Sequence, residues 1–169
     1  VGTEHLGMDA CTNKRWRNQC ETVPQYTLDT FVDTFISNTV TDNDDHNKKN
    51  TIIIDFLSID VEGYDWPVLL GSTNALRHTK YLEFEYHHVG AWKKFSLVTA
   101  IDTLQDQGFC CYWAGRAGKL WRITGCWLDH FHSKQWSNVA CVNREKAPTL
   151  SSRMEQRFFE TLANHEKLK

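Results

Sequence analysis

The chain has 169 residues, 41% of them hydrophobic and 24% charged, and its formal net charge is −2 at pH 7. This composition supports one ordinary globular domain and is unlike that of disordered or fibrous chains. The near-neutral charge and the scattered Lys/Arg pairs argue against a nucleic-acid partner, and no apolar run reaches the roughly 20 residues that a membrane span requires. Because the chain begins with Val1 rather than Met, we expect a processed product or a fragment.

The six cysteines leave the redox state open. Four of them could form two disulfides in an oxidising compartment. These pairs would be Cys11 with Cys20, and Cys126 with Cys141. The adjacent Cys110 and Cys111 stand in an apolar stretch, where thiols serve as small core residues, and no C-x-x-C pair suggests zinc. We therefore favour reduced thiols, and the sequence does not indicate the compartment.

In chain order, the first predicted elements are a helix, a loop and a buried strand. Apolar residues recur at three- and four-residue spacing over residues 26–36, which predicts a short helix. The polar segment 38–50 contains three aspartates and a histidine, and we interpret it as a solvated loop rather than a metal site. The apolar, β-branched run over 51–59 predicts a parallel strand that helices cover on both faces.

A helix, a second strand and another helix follow. Residues 64–77 have helical spacing, and Pro67 suits the first turn. The buried side of this helix would carry Trp66, Leu69, Leu70 and Leu76. Residues 80–87 alternate between apolar and polar side chains, which predicts a strand with Leu82, Phe84 and Tyr86 on one face. Residues 95–107 return to helical spacing, and Gly108 ends that helix.

The last predicted elements are a hairpin, a strand and a helix. Residues 109–114 and 120–124 are short β runs joined by a glycine-containing loop, and residues 139–143 form a final strand. The terminal helix would begin at Ser152, in a capping box with Glu155. Alternation of strands and helices implies parallel pairing through crossovers. We therefore predict an α/β fold whose sheet is mostly parallel and includes a C-terminal antiparallel hairpin.

Titratable side chains lie where both early strands end. Asp60 and Glu62 directly follow the first strand, and Glu85 and His87 end the second. Ligands of open α/β sheets bind beyond the carboxyl ends of parallel strands, so these residues are candidates for chemistry. Structural roles stay open: Asp60 could cap the next helix, Glu62 could be a first-turn charge, and a strand-end histidine could be structural. The carboxylates could also hold a divalent metal, although their spacing does not require one.

The segment that joins the first strand to the next helix resembles a family signature. Residues 55–63 read Asp-Phe-Leu-Ser-Ile-Asp-Val-Glu-Gly, and Leu-Leu-Gly follows at 69–71. Three further stretches agree in the same order: Thr-Leu-Asp-Thr-Phe at 27–31, Phe-Glu-Tyr-His at 84–87 and Gly-Phe at 108–109. Over about residues 22–143 the chain resembles FkbM-type methyltransferases, which use S-adenosylmethionine.

The resemblance implies part of a class I, Rossmann-like methyltransferase sheet. In the complete protein the expected reaction is transfer of a methyl group from S-adenosylmethionine to a hydroxyl of a small molecule or glycan. Asp60 would face the cofactor or the acceptor, with Ser58 beside it on the strand. The family usually carries lysine at the position of Ser58, so this chain offers no cation there.

The resemblance also implies roles for the neighbouring side chains. Glu62, Glu85 and His87 would act in catalysis together with Asp60. His87 is the favoured proton acceptor, because an imidazole titrates near neutral pH. The acceptor site would include two further side chains, His88 and Trp92.

The chain departs from the family in one large respect. In this fold a glycine-rich turn lets the backbone approach the cofactor, and this sequence has no such turn. The sequence aligns from just after the third strand of the family. We therefore expect residues 1–147 to be the C-terminal part of a methyltransferase domain and residues 148–169 to be a C-terminal helix. The first strand would then expose an apolar edge, and its partner would be a missing N-terminal half or a second chain.

Two other classes of function stay open. A divalent-metal-dependent hydrolase could use the same carboxylates, and its activity would need no cofactor and would stop with a chelator. A non-catalytic remnant or partner-dependent module would keep the fold without the cofactor-binding half. The sequence does not identify the acceptor, because acceptor pockets form from variable loops, here 89–95 and 125–137.

Overall fold

The structure is a computed structural model that describes residues 24–36 and 52–166. Two sequence predictions, the pairing of Cys11 with Cys20 and the solvated loop over 38–50, lie outside the described residues. None of the helices described is both long enough and apolar enough to cross a bilayer.

Short helices and one strand form the first part of the fold. Helix α1 spans Leu28–Phe31 and continues as a π-helical turn over Val32–Ile36. Strand β1 spans Ile54–Ile59. The single helix predicted after β1 is two helices separated by a turn, α2 over Asp65–Leu70 and α3 over Thr73–Arg77.

The remaining elements follow the predicted order, with three short 3₁₀ turns between them. The strands are β2 (Thr79–Tyr86), β3 (Phe109–Ala114), β4 (Leu120–Arg122) and β5 (Ser137–Asn143). The helices are α4 (Leu97–Asp106) and α5 (Pro148–Glu166). The 3₁₀ turns cover Gly90–Lys93, Arg116–Gly118 and Asp129–His132.

The five strands form one mixed sheet in the order β1-β2-β5-β3-β4. β1 and β2 are parallel, whereas the pairs β2–β5, β5–β3 and β3–β4 are antiparallel. The predicted β3–β4 hairpin is confirmed. The predicted mostly parallel sheet is not, because β5 returns between β2 and β3 and makes two of the three antiparallel pairs. The sequence pattern predicted the individual strands, but it did not predict that β5 lies between β2 and β3.

One face of the sheet carries the main core. The alternation predicted for β2 is confirmed, since Leu82, Phe84 and Tyr86 are buried. Helices α2, α3 and α4 cover this face, and Trp66 and Leu104 lie in the same apolar cluster. The prediction that Leu70 is buried is wrong: its side chain is 55% exposed, because α2 ends there and α3 continues in a new direction.

Helix α5 packs on the opposite face through a second apolar cluster. Met154 and Phe158 contact the cluster formed with Cys110, Tyr112 and Val142 of β3 and β5. Burial of this stripe holds α5 on the antiparallel half of the sheet.

A polar network ties α5 to β3 and β4. The helix begins at Pro148, so the predicted start at Ser152 with a capping box is wrong. Glu155 instead accepts hydrogen bonds from the Tyr112 hydroxyl, at 2.8 Å, and from Arg122 Nη1. The Cys110 thiol donates to the Tyr112 oxygen at 3.4 Å. We refer to Cys110, Tyr112, Arg122 and Glu155 as the helix network.

A disulfide links β3 to β5. Cys111 and Cys141 are directly opposite in the antiparallel register, with Cα atoms 4.0 Å apart, and both are fully buried. The predictions of reduced thiols and of a Cys126–Cys141 pair are therefore wrong, and Cys126 is free. Only the strand register brings Cys111 and Cys141 together, and the sequence did not reveal that register.

Strand β1 lies at an edge of the described sheet. Leu57 and Ile59 pack toward the main core. On the other face the side chain of Phe56 is 60% exposed, and its ring stacks on Tyr81 with centroids 5.2 Å apart. The strand is thus apolar on both faces but covered on one.

Helix α1 is fixed to α3 by a carboxylate. The Asp29 side chain accepts hydrogen bonds from the backbone N–H groups of Asn74, at 2.9 Å, and Ala75, at 2.8 Å. These N–H groups belong to the first turn of α3, where helical donors lack partners within the helix. The Thr-Leu-Asp element therefore has a structural role in this fold.

Candidate functional site

The carboxyl ends of β1 and β2 lie side by side because the two strands are parallel and in register. Ile59 pairs with Phe84, so Asp60 and Glu85 are the next residues on the two strands. Burial raises the pKa of the Glu85 carboxyl, and the neighbouring charge of Asp60 raises it further. The structure therefore brings two of the predicted carboxylates together, and their mutual repulsion favours a proton on Glu85.

Asp65 completes this group and was missed in the sequence. Its side chain is fully buried at the start of α2, and Oδ1 accepts a hydrogen bond from the backbone N–H of Glu85 at 3.3 Å. Burial raises the pKa of Asp65, and Oδ2 is buried with no hydrogen-bond partner among the described residues. In sequence it resembles any acidic residue in a first helical turn. We refer to Asp60, Asp65, Glu85 and His87 as the strand-end cluster.

His87 is fully buried beside these carboxylates. The backbone N–H of Val89 donates to its Nδ1 at 3.1 Å. Its Nε2 lies 3.7 Å from Oε2 of Glu85 and has no hydrogen-bond partner in the described part of the chain. The side chains of Asp65 and His87 thus each leave one buried polar atom unpaired, which is uncommon unless a ligand, ion or water completes the site.

Trp136 covers the imidazole and was not singled out in the sequence. The rings of Trp136 and His87 are stacked, with centroids 4.5 Å apart and an interplanar angle of 9°. Hydrogen bonding from the Trp136 side chain lowers the pKa of Glu85, so the indole also contacts that carboxylate. The indole is 52% exposed, and its backbone has a φ of 29°, which is rare for a bulky residue. No sequence signal links Trp136 to His87, because β5 carries it there from far along the chain.

Two glycines lock the loops after β1 and β2 together. Gly63 has a φ of 90° and Gly90 a φ of 61°. A Cβ on Gly90 would lie 2.6 Å from the carbonyl oxygen of Gly63, and that same oxygen accepts a hydrogen bond from the backbone of Ala91 at 2.8 Å. Side chains at these positions would force the loops apart, so the glycines set the spacing of the strand-end cluster.

The other predicted site residues occupy different surroundings. Ser58 is exposed on β1, in register with Glu83. Glu62 is exposed in the turn after β1 with a φ of 53°. His88 is exposed and contacts the Trp136 ring edge-on, with centroids 5.3 Å apart.

Trp92 lies in the main core. It is fully buried, and its ring packs on Phe84 and Tyr86. Its contact with substrate stays a prediction, and Trp136 is the tryptophan beside the strand-end cluster. The sequence could not show which of the two tryptophans, Trp92 or Trp136, is buried. The burial of Trp92 depends on the path of the 3₁₀ turn over Gly90–Lys93.

Over residues 24–36 and 52–166, no group of three or more His, Cys, Asp or Glu side chains has a geometry that could hold a metal ion. The strand-end cluster belongs to this part of the chain.

The fold and the cluster define an α/β domain with ionisable side chains at the carboxyl ends of its parallel strands, where ligands of such sheets bind. A family model described as the Methyltransferase FkbM domain matches residues 4–111, which is more than half of the chain. The chain therefore belongs to the FkbM methyltransferase family, as the sequence resemblance predicted. No curated protein and no solved structure matches the chain.

Proposed function

We propose that the complete protein is an S-adenosylmethionine-dependent methyltransferase that acts on a hydroxyl of a small molecule or glycan. The observation that carries this proposal is the strand-end cluster. Three carboxylates and an imidazole lie at the carboxyl ends of β1 and β2, and two of these side chains, Asp65 and His87, each have a buried polar atom without a partner among the described residues, in a chain of the FkbM methyltransferase family. Perturbed carboxylates of this kind are typical of sites that move protons.

The polar side chains at the end of β1 suit the charge of the cofactor. S-adenosylmethionine would supply a methyl group that is bonded to a positively charged sulfonium sulfur. When the methyl group is transferred, the rest of the cofactor leaves as a neutral thioether. Asp60 of the cluster and Glu62, two residues further along the chain, are exposed carboxylates, so they provide negative charge for a sulfonium or an ammonium group. Ser58, on the same strand, adds a hydroxyl at its exposed face.

The residues of this chain orient the acceptor and remove its proton. Glu85 takes the proton that the hydroxyl loses as its oxygen bonds the methyl carbon, because the raised pKa of Glu85 makes it a stronger base than an ordinary carboxylate. His88 and the half-exposed indole of Trp136 flank this position and bind the acceptor.

We also propose that residues 1–147 belong to one methyltransferase domain, with a C-terminal helix over 148–169. The exposed side of β1 supports a further strand there, from an N-terminal half of the domain or a second chain. Phe56 would lose its 60% exposure in such a pairing. Sedimentation at several concentrations tests the second-chain form: a monomer whose size does not change with concentration contradicts it.

A transfer assay tests the function. The protein is incubated with S-adenosylmethionine that carries a tritiated methyl group and with a panel of hydroxyl-bearing small molecules and oligosaccharides, with and without chelator. We expect label on a hydroxyl, with no effect of the chelator. Activity that needs no cofactor, rises with Mg²⁺ and stops with chelator would instead select the metal-dependent hydrolase. Absence of both activities and of cofactor binding would select a non-catalytic module.

A matched pair of variants locates the activity. Asp60→Asn is expected to lower kcat by about 10²–10³-fold, the scale of losing one electrostatic contact in a transition state. Asp55→Asn, at an exposed position of the same strand where the carboxylate pairs with Lys80, is expected to keep normal turnover. Normal turnover in Asp60→Asn would remove Asp60 from the mechanism.

A further inference from the structure

We propose that His87 is a positioning residue rather than the base: its ring is held with the proton on Nε2, and this N–H fixes the Glu85 carboxylate that accepts the substrate proton. The inference rests on the proposed methyl transfer for its kinetic consequences. It reverses the assignment that the sequence favoured, in which His87 took the proton.

The first step of the argument is the hydrogen bond at Nδ1. A backbone N–H can only donate, and the Val89 N–H points at His87 Nδ1 over 3.1 Å. Nδ1 must therefore be unprotonated, and the neutral ring carries its proton on Nε2. The lone pair of the neutral ring is then already engaged with Val89. To act as a base, the ring would have to break that bond inside a fully buried site.

The second step concerns where Nε2 points. Nε2 lies 3.7 Å from Oε2 of Glu85. Nε2 has no hydrogen-bond partner among the described residues, so the Glu85 carboxylate is the acceptor that we assign to this N–H. A small closure on substrate binding would convert this approach into a charge-assisted hydrogen bond.

The third step is how the ring is held. The Trp136 indole stacks on one face of the imidazole at a centroid distance of 4.5 Å. The backbone of Trp136 adopts a φ of 29°, an unfavourable conformation that the surrounding structure imposes. The stack and the Val89 hydrogen bond restrict tilt and rotation of the ring. These contacts indicate that a single orientation of Nε2 is required.

The groups that face Glu85 set the expected pH dependence. They are the carboxylates of Asp60 and Asp65, the imidazole of His87 and the indole of Trp136. Hydrogen bonding from Trp136 favours the ionised form of Glu85, and in the proposed neutral ring the Nε2–H of His87 would do the same, whereas the two aspartates disfavour it. Loss of the Nε2 donor should therefore move the acid limb of the pH–rate profile to higher pH.

A long-range ¹H–¹⁵N correlation spectrum of the wild-type protein tests the ring state without any need for activity. The spectrum distinguishes the two neutral tautomers and the imidazolium, and the signals that disappear in His87→Gln identify the ring of His87. We expect the neutral Nε2–H form at pH 7. An Nδ1–H tautomer or a doubly protonated ring would overturn the proposal. If no acceptor is ever methylated, the proposed function fails, and this spectrum still decides the state of His87.

A pair of variants tests the role. The amide nitrogen of glutamine can occupy the position of Nε2, whereas that of asparagine lies near Nδ1. We expect His87→Gln to stay within about 10-fold of wild-type kcat, and His87→Asn to lose about 10–100-fold with little change in KM. The acid limb should move to higher pH in His87→Asn only. Equal losses of about 10²–10⁴-fold in both variants, with the acid limb abolished, would show that His87 is the base.

Discussion

The strand-end cluster and the helix network each contain a partly buried glutamate, and the two glutamates have different surroundings. In the helix network, Glu155 accepts hydrogen bonds from Tyr112 and Arg122, so its carboxylate is paired. In the strand-end cluster, Glu85 faces the like charge of Asp60. There, Asp65 Oδ2 is also buried without a partner. Glu155 holds α5 on the sheet through these hydrogen bonds, although Arg122 Nε is itself buried without a partner among the described residues. The perturbed carboxylates of the strand-end cluster are instead the ones that we propose for proton transfer.

The largest expected effect comes from removing the proposed base. Glu85→Gln should lower kcat by about 10²–10⁴-fold, because an amide cannot accept the substrate proton. Steady-state methyl transfer measures this loss, and circular dichroism verifies the fold. The matched control is Glu83→Gln on the same strand, where the carboxylate accepts hydrogen bonds from Tyr81 and Asn138. Equal turnover in the two variants would show that Glu85 is structural.

On the antiparallel side, the disulfide should contribute most to stability. Replacing both Cys111 and Cys141 with serine should lower the free energy of unfolding by about 2–5 kcal/mol, since the reduced unfolded chain gains conformational freedom. Urea denaturation measures the change. Cys126→Ser, which alters a free and partly exposed thiol, serves as the control. A double variant as stable as the wild type would mean that the strands hold without the bond.

Breaking the helix network should have a smaller effect. Glu155→Ala leaves the Tyr112 hydroxyl and Arg122 without their acceptor, so we expect a loss of about 1–3 kcal/mol in unfolding free energy and unchanged turnover. Glu160→Ala removes an exposed ion pair with Arg157 in the same helix and should cost about 0–1 kcal/mol. If Glu155→Ala loses methyl transfer while the protein stays folded, the helix network is not purely structural, and the separation of a structural network from a functional cluster is wrong.

The smallest expected effect is in the pH dependence of stability. Burial raises the pKa of Asp65 in the folded protein above its usual 3.8. At a pH between 3.8 and the raised pKa, the folded protein therefore binds more protons than the unfolded chain. The contribution of Asp65 to stability is therefore present below pH 3.8 and is lost as pH rises through its raised folded pKa. Asp65→Asn should lack this component, which urea titrations of both proteins across the acid range would reveal. Parallel stability curves for the two proteins would contradict the raised pKa.

The sequence predicted site residues that lie at the ends of neighbouring strands, and it missed those whose position depends on contacts with distant parts of the chain. Asp60, Glu85 and His87 were predicted together because parallel strands end at one edge of a sheet. Asp65 could not be recognised, since a buried helix-start carboxylate has the same local pattern as an exposed one. Trp136 arrives through β5, and the insertion of β5 between β2 and β3 depends on strand pairing that local periodicity does not encode.

The same limit applies to the rest of the fold. The strands and most helices followed from apolar spacing. The capping box at Ser152 failed because Pro148 begins the helix earlier and Glu155 is used by the helix network. The disulfide was missed because Cys111 and Cys141 meet only through the antiparallel register. Local sequence patterns therefore predicted the helices and strands. The features that were missed depend on contacts between residues far apart in the chain.

Titration of the complete ¹⁵N-labelled protein, including the N-terminal half of the domain that we expect, with S-adenosylmethionine tests most directly which region is the functional one. The account predicts saturable changes in the backbone amide signals of residues 60–63 and 87–90, at the ends of β1 and β2. The groove beside α5, lined by Arg144, Ser151 and Ser152 among others, should show none. Saturable changes confined to that groove, or no saturable change anywhere, would contradict the assignment of the strand-end cluster as the methyl-transfer site.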